Sequence, residues 1–574
     1  MTRISRKRPV QAVLRIVPAR IRPALACLAA LALAGCAAPG IADAGKLAGK
    51  PGHTAAAQPA MQRPAVEQPA AAMMPFGARC NLAHIRASLR LAHVTADSAW
   101  LNATGTVTPT PPQPATGPLT GLPSFCDVTL TTTDAAGNPV NIVVWLPKSW
   151  NGRFQGVGGA IYACGPFYYE MAPAIQEGYA AAATDCGVSP ADRETASWAL
   201  RDGRLNWPLI HDFASAGIHD MTVVGKAVTR AFYPAPLRFS YFNGCSTGGR
   251  EGLVEAQQYP ADYNGIVSGA PAINWTQFIP AGIWPQLVMN ESGDFLAPCK
   301  EVAFTDAAVR ACASAGGVIT NPSACHWDPS KLMGVATPCG VITQQDAAVM
   351  TKIWQGPVDS RGKPLWYGLE RGASLAGLAE TITANGVPDG QPFPIPVSWL
   401  GTWLLRNPSW DWHTLTYAQF DQLFQQSVSE FSNIFAANNP NLTAFKADGG
   451  KIIIWHGLSD QLIFPQGTVS YYQRVQHAMG GASQTESFAR LFLAPGAQHC
   501  ASGTGPAPAG PAQPLASLVS WVEKGKAPST IPGAVTNPAT NAVTDSRPLC
   551  RYPLFARYQG HGSTTAASSY VCKP

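Results

Sequence analysis

Residues Tyr241 to Gly252 read YFNGCSTGGREG. An aromatic and apolar run leads into Gly244-Cys245-Ser246-Thr247-Gly248, and a helical pattern, GGREGLVEAQQY, leads out of it. Glycines two positions either side of a serine are what a sharp strand-to-helix turn requires, because side chains there would collide. Such a turn lifts the serine hydroxyl clear of the sheet edge, where it can act as a nucleophile. The alternative is a glycine turn whose serine only caps the helix. In a chain with 54 glycines the pattern alone is weak, and it is the strand before and the helix after that favour a nucleophilic Ser246.

The same alternation continues on both sides of the turn. NIVVWLP and RFQGVGG read as strands, followed by YAAAATD, and HDMTVVGKAVTRAFY has helical apolar spacing. Beyond the turn, NGIVSGAP is a strand, and KIIIWHG, GTVSYYQRVQHAM and RLFLAPG repeat the strand–helix–strand order. Short apolar strands alternating with helices predict an α/β architecture with a mostly parallel sheet covered on both faces. Between residues 273 and 449 this order breaks. That region is rich in Trp, Pro and Gly and reads as one insertion, because strands of one type stand on both sides of it.

A nucleophilic serine needs a base and an orienting acid, and on such a sheet they follow in the chain order Ser, Asp, His. Asp460 in HGLSDQLI falls just past KIIIW, and His499 in APGAQHC falls just past RLFLA. Both therefore sit at carboxyl ends of strands, where open α/β sheets place their sites. Singly, a loop Asp is usually a turn residue and a loop His a solvent-exposed one; order and placement together select them. If Ser246 and His499 meet, their neighbours Cys245 and Cys500 meet too, which predicts a disulfide stapling nucleophile to base. It closes a loop of more than 250 residues, for which the chain-entropy model gives an upper figure on the order of 5 kcal/mol. Local pairing or free thiols are the alternatives. Backbone N–H groups must also face the developing oxyanion. Thr247 follows the nucleophile, and the glycine-rich GVGGA offers Gly158 as the second donor.

Composition narrows the classes. The chain has 574 residues and a formal net charge of +6, but Arg3, Arg6, Lys7, Arg8, Arg15, Arg20 and Arg22 all precede residue 36. Removing those seven from 40 leaves 33 basic residues against 34 acidic ones, which argues against a nucleic-acid partner. The basic start followed by PALACLAALALAGC reads as a signal peptide over residues 1–36. Its LAGC end resembles a bacterial lipobox that would lipidate Cys36; a plain signal peptide cut at a small-residue site is the alternative. Either implies export from a bacterial cytoplasm, to the outer membrane as a lipoprotein, to the periplasm or outside. Membrane contact is then expected only through the lipid anchor. Residues 37–75, rich in Ala, Pro and Gln, read as a linker. Domain boundaries follow at 76–272 for the first half of the sheet domain, 273–449 for the insertion and 450–574 for the second half. Twelve cysteines remain after the leader, an even number suited to an oxidising compartment. Spacing suggests Cys80–Cys126, Cys164–Cys186, Cys312–Cys325 and Cys550–Cys572, and leaves Cys299 and Cys339 open.

WNGRF, GVGG, SYFNGCSTGGREG, YPADYNGIVSGAPA, IIIWHGLSDQLI, YYQRV and RLFLAPGAQHC together resemble the tannase and feruloyl esterase family of α/β-hydrolases. The resemblance spreads over residues 76 to 574. It implies an α/β-hydrolase fold with a large lid domain inserted between the nucleophile and acid segments. It also implies ester hydrolysis by a Ser–His–Asp triad with a cystine beside it. The family includes enzymes that hydrolyse mono(2-hydroxyethyl) terephthalate. Two departures stand out. Members carry a calcium loop rich in Asp between two lid cysteines, whereas CASAGGVITNPSAC has no carboxylate, so no metal or other cofactor is expected. The arginine and Phe-Ser pair with which terephthalate monoester hydrolases grip their substrate has no match either; Arg406 reads as a surface residue.

The function expected is a serine carboxylesterase acting on small-molecule esters of aromatic, phenolic acids. Rivals are a terephthalate monoester hydrolase and a non-catalytic surface lipoprotein. A flat acyl group needs apolar walls, and SWLGTW with SWDWHTL concentrates tryptophans near the end of the insertion. Most of these should form the insertion's own core, but at least one of Trp399, Trp403 and Trp410 is expected in the acyl pocket. His456 and Ile463, flanking Asp460, are assigned to substrate binding with them.

Overall fold

The computed structural model describes residues 74–110, 117–384, 387–501, 510–537 and 542–574. The leader, Cys36 and the tether up to residue 73 lie outside the described residues. A nine-stranded sheet organises the molecule. In chain order its strands are β1 (Val94–Asn102), β2 (Phe125–Thr133), β3 (Pro139–Pro147), β4 (Arg153–Val157) and β5 (Ala180–Thr184). They continue with β6 (Phe239–Cys245), β7 (Gly265–Gly269), β8 (Lys451–Gly457) and β9 (Ala489–Ala494). The spatial order is β1-β2-β3-β5-β4-β6-β7-β8-β9. From β5 to β9 every neighbour is parallel, while β1, β2, β3 and β5 pair antiparallel.

The parallel strands are short and apolar because helices cover both faces. β5 is AAAAT with all five residues buried. Its small side chains let the helix Gly217–Phe232 come close: a Cβ on Gly225 would stand 2.8 Å from the Ala182 Cβ and the Phe154 ring. β8, KIIIWHG, is buried from Ile452 to Gly457.

The chain leaves the sheet after β7 and returns at β8, and the residues between add no strand to it. Trp275–Ala281, Trp284–Ser292, Pro298–Cys312, Gln344–Gln355 and Tyr417–Phe435 are its main helices. Capping boxes start two of them, Thr343 with Asp346 and Thr416 with Gln419. One buried cluster joins Trp399, Trp403, Phe431 and Phe435 of this region to Tyr162 and Phe213 of the sheet domain. The lid is thus cemented to the sheet domain by a shared core.

All twelve cysteines among the described residues are paired, Cys245 with Cys500 and Cys299 with Cys339 included.

Candidate active site

Ser246 sits between the end of β6 and the helix Thr247–Gln258 at φ 63°, ψ −123°. A non-glycine residue held there costs on the order of 1–3 kcal/mol and persists only where the surroundings over-determine it. Here the Ser246 N–H donates to Gly269 O at 3.0 Å, and the Gly248 N–H to Gly159 O at 3.0 Å. The glycines are obligatory for contact: a Cβ on Gly244 would lie 2.6 Å from the Gly248 carbonyl carbon, and one on Gly158 would lie 2.4 Å from the Gly248 Cα.

The rest of the GGREG motif braces this turn. Arg250 is fully buried, donates to Phe213 O and Ala214 O at 2.8 Å each, and lies over the Phe213 and Trp275 rings. Glu251 Oε2 accepts the Gly159 N–H at 2.8 Å, and burial pushes its carboxyl up to about 8.

Asp460 lies in the turn after β8 and is wholly buried. Its Oδ1 accepts from the N–H groups of Leu462 and Ile463, each at 2.9 Å. Its Oδ2 faces His499 Nδ1 at 2.8 Å and His456 Nε2 at 3.0 Å. Burial alone would raise this carboxyl, but the His499 charge and hydrogen bonds from both imidazoles hold it well below the usual range. With Asp460 ionised, His499 Nδ1 is the donor, which leaves Nε2 as the basic nitrogen. The His499 N–H donates to Gln461 Oε1 at 3.0 Å, fixing the base from its backbone as well.

Cys245 and Cys500 are bridged with their Cα atoms 5.9 Å apart. Ser246, His499 and both cysteines line one cavity of about 560 Å³. Its apolar walls come from Trp275, Phe278, Ile279, Phe393 and Ile395 of the lid, with Leu462 and Ile463 beside Asp460. Among the described residues no Arg or Lys lines it. The Thr247 N–H is buried and makes no hydrogen bond among the described residues. Gly158 lines the cavity, but its N–H is already engaged with Asn243 O at 3.4 Å.

Several expected residues stand elsewhere. Trp399 and Trp403 are wholly buried, stack with ring centroids 5.0 Å apart, and face Phe431 and Phe435. They share one π-helical turn, Trp399–Leu404, so their spacing serves the lid core and leaves neither indole on the cavity. Trp410 borders a separate surface depression with Pro392, Pro394 and Pro408. His456 is wholly buried, with Nδ1 2.8 Å from Thr468 Oγ1, and supports Asp460 rather than touching the cavity. The aromatic walls that sequence reading missed, Trp275 and Phe278, lie on the helix that comes next after the carboxyl end of β7. That strand-end placement, the argument that selected Asp460 and His499, also pointed to them.

Among the described residues one cluster has metal-ligand character, His219, Glu255 and Asp262, and none of the three lines the cavity. His219 Nδ1 lies 2.6 Å from Asp262 Oδ2 and Lys226 Nζ 3.7 Å from its Oδ1, so the cluster carries its own cation. In the loop closed by Cys312–Cys325 the Gly316 carbonyl accepts from Arg547 Nη2 at 3.2 Å. With no carboxylate in that loop, its donors do not fit a calcium ion.

Residues 126–573 match the family model described as tannase and feruloyl esterase. The chain belongs to the tannase and feruloyl esterase family. That membership makes it a carboxylic ester hydrolase. It is 44% identical over 478 residues to a probable feruloyl esterase of Arthroderma benhamiae, covering 81% of this chain and 88% of that one. The crystal structure of feruloyl esterase B from Aspergillus oryzae superposes with a TM-score of 0.75 at 26% identity, covering 87% of this chain and all of that one. Tannin acyl hydrolase from Aspergillus niger shares the fold, with a TM-score of 0.76 at 23% identity over 87% of this chain and 96% of that one.

Proposed function

We propose that this family member is a serine carboxylesterase that cleaves esters of phenolic aromatic acids such as ferulate. Ser246 is the nucleophile, His499 the base and Asp460 the orienting acid. The observation that carries the reading is the buried Asp460–His499 contact of 2.8 Å opening on the cavity that Ser246 lines, with the Cys245–Cys500 bridge between them. Ser246 Oγ attacks the ester carbonyl while His499 Nε2 takes its proton. The oxyanion falls to the Thr247 N–H. The Gly158 N–H, held only by a long 3.4 Å contact, is the second donor. Collapse breaks the ester C–O bond, His499 returns the proton to the departing alcohol, and water then releases the acid by the same steps in reverse.

The apolar cavity suits a flat ring. A terephthalate monoester is disfavoured, because its second carboxylate would enter a cavity that no Arg or Lys among the described residues lines, and Arg406 is engaged by Glu430. Calcium plays no part in this reading, and six disulfides support an exported protein.

Ser246→Ala tests the reading. It should lower kcat on methyl ferulate by at least ~10³-fold with the fold intact. Near-wild-type turnover, or a wild type inert towards p-nitrophenyl acetate and to serine-directed phosphonates, would sink the mechanism in favour of a binding protein.

A further inference from the structure

One charged side chain faces the cavity without a part in the chemistry above. Glu170 lies in the first turn of the helix Tyr168–Gln176 and lines the cavity together with Tyr169. The helix N-terminus favours a carboxylate there, but that accounts for its charge and not for its placement on the cavity. Burial raises this carboxyl, and no hydrogen bond or ion pair among the described residues engages it. Beside it, the Tyr169 phenol is pushed up to about 12, by burial first and then by the Glu170 charge, with Arg193 opposing. It therefore remains a neutral hydroxyl. Much of the wall is aromatic or aliphatic, Trp275, Phe278, Leu378 and Phe393 among it.

Glu170 is only half-buried, so water in the open cavity can solvate its carboxylate, and a ligand that displaces this water must replace those hydrogen bonds. We propose that Glu170, with Tyr169 beside it, reads a hydroxyl group on the substrate. The carboxylate accepts a charge-assisted hydrogen bond from that hydroxyl. A substrate lacking it leaves the carboxylate desolvated and unpaired, and a substrate carrying its own carboxylate is repelled. This rests on the esterase reading above and adds the rule by which the cavity chooses among aromatic esters. The hydroxyl has two sources, a phenolic group on the acyl ring or a sugar hydroxyl on the alcohol.

The experiment compares wild type, Glu170→Leu and the shape-conserving Glu170→Gln on five esters. Methyl ferulate against methyl 3-methoxycinnamate varies only the ring hydroxyl, feruloyl arabinose against methyl ferulate varies the alcohol, and p-nitrophenyl acetate reports the catalytic machinery. Glu170→Leu should lose about ten- to a hundredfold in kcat/KM on the hydroxyl-bearing member of one pair, and much less on its partner or on the acetate. Glu170→Gln should lose less than Leu on that substrate, since its amide oxygen still accepts. Both variants should gain on mono(2-hydroxyethyl) terephthalate relative to wild type. Equal losses within both pairs, or none, overturn the role of Glu170 and leave the esterase reading standing. A wild type that cleaves the acetate but neither methyl ester would fail the substrate reading and this inference with it.

Discussion

Phe393 and Trp399 stand on one short stretch of the lid, yet only Phe393 faces the cavity. Truncating each separates recognition from stability. Phe393→Ala should weaken kcat/KM for methyl ferulate by about 1–3 kcal/mol in transition-state terms, with a much smaller loss on p-nitrophenyl acetate. Trp399→Ala instead removes a fully buried indole that donates to Ser427 Oγ at 2.9 Å. It should cost ~3–5 kcal/mol of stability while the ratio of the two activities holds in protein that remains folded. Thermal melts beside the two assays check both; a changed ratio for Trp399→Ala with an unchanged melt would reverse the assignment. Sequence distinguishes poorly between these residues because an aromatic residue has the same composition signal on a cavity wall as in a core. The turn at Ser246 and the strand-end positions of Asp460 and His499 were legible for another reason: glycine spacing and strand ends are backbone constraints written locally in the chain. His456 shows the limit of that legibility. Its neighbourhood to Asp460 in sequence was clear, but only the fold turns it inward, onto Asp460 and Thr468.

At the scale of elements, β6 and β9 carry the two halves of the site and are separated in the sheet by β7 and β8. The turns after them must therefore reach across two strands, and the Cys245–Cys500 bridge fixes that reach over a sequence separation of 255. Replacing both cysteines by serine should lower the melting temperature and kcat together, the stability loss bounded by about 5 kcal/mol. A non-reducing peptide map should first show the linkage in the native enzyme; two free thiols, or a variant with full kcat, would refute the staple. The parallel strands could be read from apolar runs, since burial on both faces removes any alternation. The antiparallel strands β1 and β2 escaped that reading, being short of the helix–strand rhythm that marks the others. The Cys299–Cys339 pair escaped because spacing does not fix connectivity. In the Cys312–Cys325 loop, Arg547 already bonds the Gly316 carbonyl and Asp545, joining the lid to the C-terminal segment. Adding EDTA should accordingly leave both melting temperature and activity unchanged, and a chelator-induced drop restored by calcium would show a metal at work.

Across the whole molecule, buried carboxyls make stability depend on pH. Burial raises Glu251 and Glu301 to about 8, and Asp127 and Glu370 to about 7. For such groups the protonated form suits the fold, so their contribution is fully present below the ordinary carboxyl range and is lost as pH climbs through about 7 to 8. Asp460 runs the other way: its carboxyl is lowered, so its contribution is present above the ordinary value and is lost as pH falls towards the acid range. Stability should therefore peak in mildly acidic solution. Glu251→Gln isolates one group in this balance. The amide keeps an acceptor for the Gly159 N–H but has no charge to bury beside the oxyanion loop. The variant should match wild type in melting temperature near pH 5 and exceed it at pH 8 to 9 by roughly 2–4 °C, the shift that ~1 kcal/mol gives a large domain. Melts at each pH, read beside kcat/KM on methyl ferulate, decide it. A parallel pair of melting curves for the two proteins across pH 5 to 9 would mean that Glu251 does not ionise in this window.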